Sequence, residues 1–181
     1  MADQNARYVL DDISILVIDD NRHMQKLVVE ILNGLGVKST AQFGDATQAL
    51  AELQHFPADV IIVDWHMTPM DGLEFVRSVR TSKDSPNPYV PIIMLSGYTE
   101  HQRITDARDA GINEFLAKPI SAKSLYQRIA TIIDNPRPFI RSKDYFGPDR
   151  RRQNLGPPRG VPERRKSALA ETGAESVQGS A

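Results

Sequence analysis

Residues 60–72 read VIIVDWHMTPMDG, and this stretch decides the fold. Its first four residues are apolar and β-branched, which is typical of a strand buried on both faces of a sheet. The strand should end at Asp64, and Pro69 and Gly72 should then open a loop before the next helix. Ligands of open α/β sheets bind beyond the carboxyl ends of the strands, so Asp64 lies where a functional carboxylate is expected. An aspartate after a strand is also a common turn residue, so this position alone leaves both interpretations open.

Similar apolar runs alternate with helical patterns along the first 135 residues. The predicted strands are residues 13–18, 37–43, 60–63, 91–95 and 114–117. Five helical patterns separate or follow them, the first capped by Asn21, the fourth spanning residues 100–110 and the last opened by Ser121. Strands that alternate with helices form parallel sheets, and right-handed crossovers place helices on both faces. We therefore predict an α/β fold with a doubly wound, five-stranded parallel sheet in the flavodoxin-like order 2-1-3-4-5.

Composition limits the class of protein. The chain has 181 residues, enough for one well-cored domain and a tail. It is 40% hydrophobic and 25% charged, the balance of an ordinary globular domain. No apolar run is long enough to span a bilayer, and the first 12 residues lack the pattern of a signal peptide. There is no cysteine, which excludes disulfides and thiolate metal sites, and we expect a cytoplasmic protein without membrane insertion.

Charge is distributed unevenly along the chain. Residues 1–140 hold 18 acidic and 13 basic residues, a net charge of −5, whereas residues 141–166 hold nine basic and three acidic residues, a net charge of +6. From residue 136 onward, prolines interrupt any helical pattern. We therefore predict an N-terminal segment over residues 1–11, a domain over 12–135 and an irregular, largely disordered, Pro/Arg-rich tail over 136–181.

The tail has one dense patch of aromatic and basic side chains. Its candidate contact residues are Tyr145, Phe146, Arg150, Arg151 and Arg152. The aromatic pair is suited to docking on the domain or on a partner, and the arginines to an acidic surface or to phosphates. A solvated tail, protein docking, nucleic-acid binding and membrane contact all stay open. The tail lacks the helices of a helix-turn-helix output domain.

The predicted topology brings five polar residues to one edge of the sheet. Asp19 and Asp20 follow the first strand, Asp64 the third, Ser96 the fourth and Lys118 the fifth. The switch point between the first and third strands lies beside the three carboxylates, which would repel one another. A Mg²⁺ ion, which prefers carboxylate, carbonyl and water oxygens, would resolve this repulsion.

These residue types are suited to phosphoryl transfer onto a carboxylate. An aspartate held beside Mg²⁺ is a competent nucleophile and would form an aspartyl phosphate at Asp64. The Lys118 ammonium would balance the charge of the phosphoryl oxygens, and the Ser96 hydroxyl would donate a hydrogen bond. Singly, a lysine after a strand is more often a solvated surface charge, and Ser96-Gly97 a turn. Their joint placement favours the functional interpretation.

The residues that carry this pattern resemble the receiver domain of bacterial two-component response regulators. They are Asp19-Asp20, Val63-Asp64, Met67 to Gly72, Ser96-Gly97 and Lys118-Pro119. The stretch around Trp65 and Met70 to Glu74 is similar to the chemotaxis-type single-domain members. The resemblance covers residues 11–135, in order and with the spacing of the family.

The resemblance implies a phosphorelay switch rather than an enzyme, apart from Mg²⁺-dependent self-phosphorylation and autodephosphorylation. Asp64 would be the phosphoacceptor, served by a sensor histidine kinase or a phosphotransfer protein. Asp20, Asp64 and the backbone carbonyl of His66 would ligate Mg²⁺, and Asp19 would act directly or through water. Lys118 would pair with the phosphoryl group, and Ser96 would bind it once formed.

The resemblance also implies how the signal leaves the site. Phe115 occupies the position of the family's switch aromatic and would turn inward as Ser96 moves. A downstream protein would bind the face formed by the fourth helix, fifth strand and fifth helix, and the molecule would be a monomer or a weak dimer. His66 and Tyr98 stand where members of the family tune the lifetime of the phosphoryl group. The bond between Lys118 and Pro119 would be cis, a form that is inexpensive before proline.

Three other functions stay open at this stage. A phosphohydrolase of the haloacid dehalogenase type would want an acid where His66 stands, and a cap domain for which the chain has no room. A DNA-binding regulator would act through the arginine-rich tail. A receiver that has lost its signalling role would serve as a phosphorylation-independent adaptor. His66 as a transition-metal ligand is disfavoured because no second histidine stands at ligand spacing.

Overall fold

The computed structural model describes residues 10–97, 104–142 and 145–150, with Ile104 described in its backbone only. The chain divides into two compact units, Met1–Asp149 and Arg150–Ala181, and Arg150 is the one described residue of the second. Within the described ranges, no helix combines the length and the apolar character needed to cross a membrane.

A five-stranded parallel sheet forms the centre of the first unit. Its strands are β1 (Ser14–Ile18), β2 (Ser39–Phe43), β3 (Val60–Asp64), β4 (Ile92–Ser96) and β5 (Glu114–Ala117). Their order, β2-β1-β3-β4-β5, confirms the predicted topology. Every residue of β3 and β4 is buried, as expected for apolar strands covered on both faces. The bounds of β5 are as predicted, and those of the other four strands differ from the predicted ones by one or two residues.

Among the described residues, five helices cover the sheet. They are α1 (Arg22–Gly34), α2 (Ala46–Glu52), α3 (Gly72–Thr81), α4 (Ile104–Ala110) and α5 (Ala122–Asp134). Asn21 caps α1 as predicted, and Ser121 opens α5 with a capping box. The predicted start of the fourth helix at residue 100 falls in residues 98–103, which lie outside the described part of the chain.

The core has two layers because successive strand residues point to opposite faces of the sheet. On one face, the side chains of Ile61 and Val63 join Phe75 and Val76 of α3 in one buried cluster. On the other, Ile62 of the same strand packs in a second cluster, which includes buried residues of α1 and α5 (Val28, Leu32, Leu125 and Ile129). The sheet is thereby fixed between two layers, and its carboxyl edge is held in place.

The segment after α5 differs from the predicted irregular tail. The strands β6 (Phe139–Ser142) and β7 (Tyr145–Pro148) pair as an antiparallel hairpin, so the first unit extends past residue 135. Two of the prolines that suggested an irregular chain, Pro138 and Pro148, lie at the ends of the strands, whereas Pro157, Pro158 and Pro162 lie outside the described residues. Pro138 precedes β6, where its carbonyl accepts a hydrogen bond from Asp149 N–H, and Pro148 is the last residue of β7.

Gly72 allows α3 to begin directly against the end of β3. Its N–H donates to the carbonyl oxygen of Trp65 at 2.8 Å, and a Cβ at this position would collide with the backbone carbonyl of Asp64. Because that obstacle is backbone and not a flexible side chain, the position requires glycine.

We expect Gly72→Ala to lower the free energy of unfolding by about 2 kcal/mol or more, in the range of overpacked sites. Gly34→Ala, in α1, is the matched control, because nothing lies within 4 Å of its Cβ position. Alanine favours helix, so the control should be neutral or slightly stabilising. Urea unfolding measures both variants, and equal stability of the two would contradict the proposed collision.

Candidate functional site

The carboxyl ends of β1, β3, β4 and β5 bring the predicted polar residues to one edge of the sheet. Asp19 directly follows β1, Asp64 ends β3, Ser96 ends β4 and Lys118 directly follows β5. One carboxylate oxygen from each of Asp19, Asp20 and Asp64 lies within 4.8 Å of the others. Asp19 and Asp64 are buried and Asp20 is exposed, so the carboxylate cluster opens to solvent on the side of Asp20.

Lys118 holds the two buried carboxylates together. Its Nζ lies 2.7 Å from Oδ1 of Asp64 and 3.2 Å from Oδ2 of Asp19. One ammonium neutralises only one of the three negative charges, so the cluster retains a formal charge of −2 when all three carboxylates are ionised. The site therefore attracts a further cation.

Burial and charge shift two pKa values at this edge. Burial raises the pKa of Asp64, with a smaller contribution from the charge of Asp19, and the hydrogen bond from Lys118 opposes the rise only in part. Burial by itself would lower the pKa of Lys118, but its hydrogen bond and charge interaction with Asp64, aided by Asp19, outweigh burial and raise it. Lys118 thus stays protonated, as an electrostatic partner must.

Ser96 supplies a hydroxyl that accepts or donates no hydrogen bond within the described part of the chain. Its side chain is 1% exposed, and its Oγ has no hydrogen-bond partner among the described residues. A buried hydroxyl without a partner is uncommon, because the hydrogen bonds it made to water are lost on folding. The Ser96 hydroxyl is therefore available to a group that binds at the edge of the sheet.

The donors at this edge fit Mg²⁺. They are carboxylate oxygens, the ligands that this ion prefers, and the exposure of Asp20 leaves room for the waters that it usually retains. The excess negative charge of the cluster matches a divalent cation. Imidazole and thiolate ligands, which favour transition metals, are not part of the cluster.

One residue that orients the end of β1 was not predicted. Gln25 is buried on α1, where its Nε2 donates to the backbone carbonyl of Asp19 at 2.7 Å. Asn21 N–H donates to Oδ1 of the same aspartate at 2.9 Å. The signal was present in the sequence, because Gln25 stands three and seven residues before Val28 and Leu32 on the buried face of α1.

The residue after Asp64 links the site to β5. Trp65 is buried, and its ring meets the ring of Phe115 edge-on, with 5.9 Å between centroids and 67° between planes. Phe115 is half-buried. A displacement of Phe115 would therefore move Trp65, the residue next to Asp64. The sequence alone did not reveal this ring contact.

The remaining predicted residues are spread over the molecule. The His66 side chain is exposed, with its ring centroid 6.5 Å from that of Trp65, and Tyr98 lies outside the described residues. The peptide bond between Lys118 and Pro119 is cis, as is the bond between Thr68 and Pro69, which was not predicted.

The predicted tail contacts divide between the described and undescribed parts of the chain. Tyr145 and Phe146 lie in β7, and Phe146 packs on Tyr89 of the domain with 5.2 Å between ring centroids. Arg150 is described as part of the second unit. Arg151 and Arg152 lie outside the described residues.

The raised pKa of Asp64 predicts that this carboxylate opposes folding at neutral pH. The folded protein keeps the Asp64 proton at pH values where the unfolded chain, with its usual pKa of 3.8, has lost it. Ionisation of Asp64 therefore lowers stability as the pH rises from 3.8 through the raised pKa. We expect Asp64→Asn to be more stable than the wild type at pH ~7 in EDTA, with the difference shrinking toward acid pH.

Urea unfolding at a series of pH values between about 4 and 7 measures this effect. The control is Asp12→Asn, which removes an exposed carboxylate and should change stability little. An Asp64→Asn protein that is less stable than the wild type at neutral pH would show that the ion pair with Lys118 outweighs the burial of the charge.

Comparison with known proteins agrees with the fold and the site. The model of the response regulator receiver domain matches residues 15–130, more than half of the chain. Chemotaxis protein CheY of Pseudomonas aeruginosa is 32% identical over 120 residues, which are 66% of this chain and 95% of the relative. Chemotaxis protein CheY-3 of Vibrio cholerae is 28% identical over 123 residues, covering 68% of this chain and 93% of the relative.

The fold is also similar to that of a solved structure. The crystal structure of Vibrio cholerae chemotaxis protein CheY4 superposes with a TM-score of 0.60 at 28% identity, covering 66% of this chain and 98% of that protein. Receiver domains bind Mg²⁺ at an acidic pocket, and in this chain Asp19, Asp20 and Asp64 form an acidic cluster. This chain belongs to the response regulator receiver domain family, the CheY-like phosphorelay domains of two-component signalling systems.

Proposed function

We propose that Asp64 is the phosphoacceptor of this receiver domain and that its phosphorylation switches the binding of a partner protein. The observation that carries the proposal is the contact of one lysine, Lys118, with Asp64 and Asp19 inside a cluster of three carboxylates. Receiver domains are signalling proteins and not classical enzymes, so the chemistry proposed here serves a change of state.

The proposed reaction transfers a phosphoryl group to the side chain of Asp64. A carboxylate oxygen attacks the phosphorus of a phosphohistidine, the P–N bond breaks, and a P–O bond forms an acyl phosphate. The imidazole leaves and takes a proton from solvent. Lys118 is placed to pair with the phosphoryl oxygens, and the Ser96 hydroxyl is free to donate to one of them.

Asp19, Asp20, Asp64 and the backbone carbonyl of His66 are the proposed ligands of Mg²⁺. When bound, the ion neutralises charge on the transferring group, and the phosphorylation and later hydrolysis of Asp64 should depend on it. For the return reaction, we propose that His66 and Tyr98 tune the access of water to the aspartyl phosphate.

We propose a sensor histidine kinase or a phosphotransfer protein as the donor, in the cytoplasm of a bacterium. The proposed output is a protein target that binds the face of α4, β5 and α5, in a monomer or weak dimer of the receiver. Receiver domains interact with kinases or phosphotransfer proteins and with downstream targets, which supports this arrangement. The similarity to two proteins named for chemotaxis makes motility a candidate pathway.

The three alternative functions are the phosphohydrolase, the DNA-binding regulator and the adaptor. Membership of the receiver family favours the switch over the phosphohydrolase. DNA binding through the tail depends mainly on residues 151–166, which lie outside the described part of the chain. The adaptor alternative predicts that Asp64 takes no label, so the labelling experiment decides between it and the switch.

Labelling with acetyl phosphate tests the acceptor role directly. The wild type should take label from ³²P-acetyl phosphate in the presence of Mg²⁺ and lose nearly all of it in EDTA, because the carboxylate cluster needs a cation. Asp64→Asn should take no label, whereas Asp12→Asn should behave as the wild type. Full labelling of Asp64→Asn would refute the assignment. A wild type that takes label from neither acetyl phosphate nor a phosphohistidine donor would favour the adaptor.

The Ser96 hydroxyl should matter for the phosphorylated state and not for the fold. Since its Oγ has no partner in the described structure, Ser96→Ala should change the free energy of unfolding by less than about 0.5 kcal/mol. The same variant should change the decay rate of the label, because it removes a hydrogen bond to the phosphoryl group. Urea unfolding and label decay measure the two effects, and an unchanged decay rate would contradict the proposed role.

A further inference from the structure

The hairpin β6–β7 is anchored to the domain at the edge of the sheet opposite Asp64. Glu114, at the amino end of β5, is buried and pairs with two arginines. Its Oε1 lies 2.9 Å from Arg137 Nη2 and its Oε2 lies 3.2 Å from Arg128 Nη1 of α5. Arg137 precedes the hairpin, so this pair fixes the chain as it leaves α5.

Aromatic packing forms the second anchor. The rings of Tyr89, Phe139 and Phe146 contact one another, with 5.2 Å between Tyr89 and each phenylalanine and 5.7 Å between the two phenylalanines. Tyr89 lies in the loop before β4, and the two phenylalanines come from β6 and β7. An isolated two-stranded hairpin is marginally stable in water, so these contacts account for its order.

Backbone contact forms the third anchor. Gly147 of β7 lies against Gly111, in the turn between α4 and β5, so closely that a Cβ on Gly147 would stand 2.9 Å from Gly111 Cα. A Cβ on Gly111, whose φ is +103°, would in turn meet the carbonyl oxygen of Phe146 at 3.2 Å. The hairpin is therefore in direct contact with the turn that precedes β5.

Arg80 contacts the loop before β4, the turn before β5 and the hairpin. It is 3% exposed, and its guanidinium donates to the carbonyls of Gly111 at 3.0 Å and Pro88 at 2.8 Å and to Oδ1 of Asn113 at 3.2 Å. The carbon of the guanidinium lies 5.1 Å from the centre of the Phe139 ring. One buried side chain of α3 thus ties the start of β4, the start of β5 and the hairpin together.

The same two strands end at the phosphorylation site. Ser96 and Ala117, the last residues of β4 and β5, are paired in the sheet, and Lys118 N–H donates to the carbonyl of Ser96 at 2.7 Å. At the other end, Asn113 accepts from the N–H of Ile92 as well as from Arg80. β5 has only four residues, so a displacement of its amino end should also move its carboxyl end.

We propose that the hairpin β6–β7 is a regulatory brace, which holds the amino ends of β4 and β5 in the unphosphorylated arrangement and so resists phosphorylation of Asp64. The proposal rests on the proposed function of Asp64. The described structure has Asp64 as a free carboxylate in contact with Lys118, and the hairpin is docked in this same arrangement. If the hairpin contacts favour the unphosphorylated arrangement, linkage requires that phosphorylation of Asp64 weakens those contacts by the same free energy.

Gly147→Ala in the full-length chain tests the brace. The new methyl group would stand 2.9 Å from Gly111 Cα and 2.7 Å from the Tyr145 hydroxyl, so it would push β7 away from Gly111 and displace the Tyr145 side chain. Gly34→Ala is the matched control, because nothing lies within 4 Å of its Cβ position. Hydrogen exchange of residues 104–117 should become faster in Gly147→Ala and stay unchanged in the control. At limiting acetyl phosphate with Mg²⁺, Gly147→Ala should reach the half-labelled state at a donor concentration lower by about fivefold or more. Phe139→Ala, which removes the ring contact to Arg80, should shift both quantities in the same direction.

The outcomes separate the brace from the acceptor role. Unchanged hydrogen exchange in both hairpin variants would overturn the brace. Faster exchange with unchanged labelling would also overturn it, because the hairpin would then be structural only. Label absent from the wild type as well as the variants would refute the proposed function, and with it the brace.

Discussion

Lys118 contacts two carboxylates, Asp64 and Asp19, that the parallel sheet forces together at its carboxyl edge. Without a cation the two charges would repel one another, and burial raises the pKa of Asp64. The lysine removes one charge and leaves the excess that a divalent ion would neutralise. The site therefore combines a fixed cation with room for a second, exchangeable one. That combination suits a group that arrives with negative charges of its own.

The sheet explains why such a site can act as a switch. The residues around Asp64 belong to different strands, so a group bound to several of them acts on β4 and β5 together. The contact between Trp65 and Phe115 is one route by which a movement of these strands would displace side chains inside the domain. The opposite ends of the same strands meet Arg80 and the hairpin. The proposed brace would give this receiver a restraint formed by sequence beyond its family match, which ends at residue 130.

The strand order and the polar edge follow from the sequence because both depend on local patterns. Apolar runs such as residues 60–63 mark strands, and the residue after each run must lie at the edge of the sheet. The hairpin does not follow from such patterns, because its stability depends on distant residues, among them Tyr89 and Gly111. Its prolines suggested an irregular tail when read alone. The position of Gln25 on the buried face of α1 can be seen in the sequence, but its partner, the carbonyl of Asp19 just after β1, cannot.

The central claim is that the phosphoryl group is carried by Asp64, and its location on the chain can be measured directly. Borohydride reduces an acyl phosphate of aspartate to homoserine, which marks the modified position. After reaction with acetyl phosphate and Mg²⁺, borohydride treatment and peptide mass spectrometry should show homoserine at residue 64. Homoserine at residue 19 or 20 in its place, or at none of the three, would contradict the account.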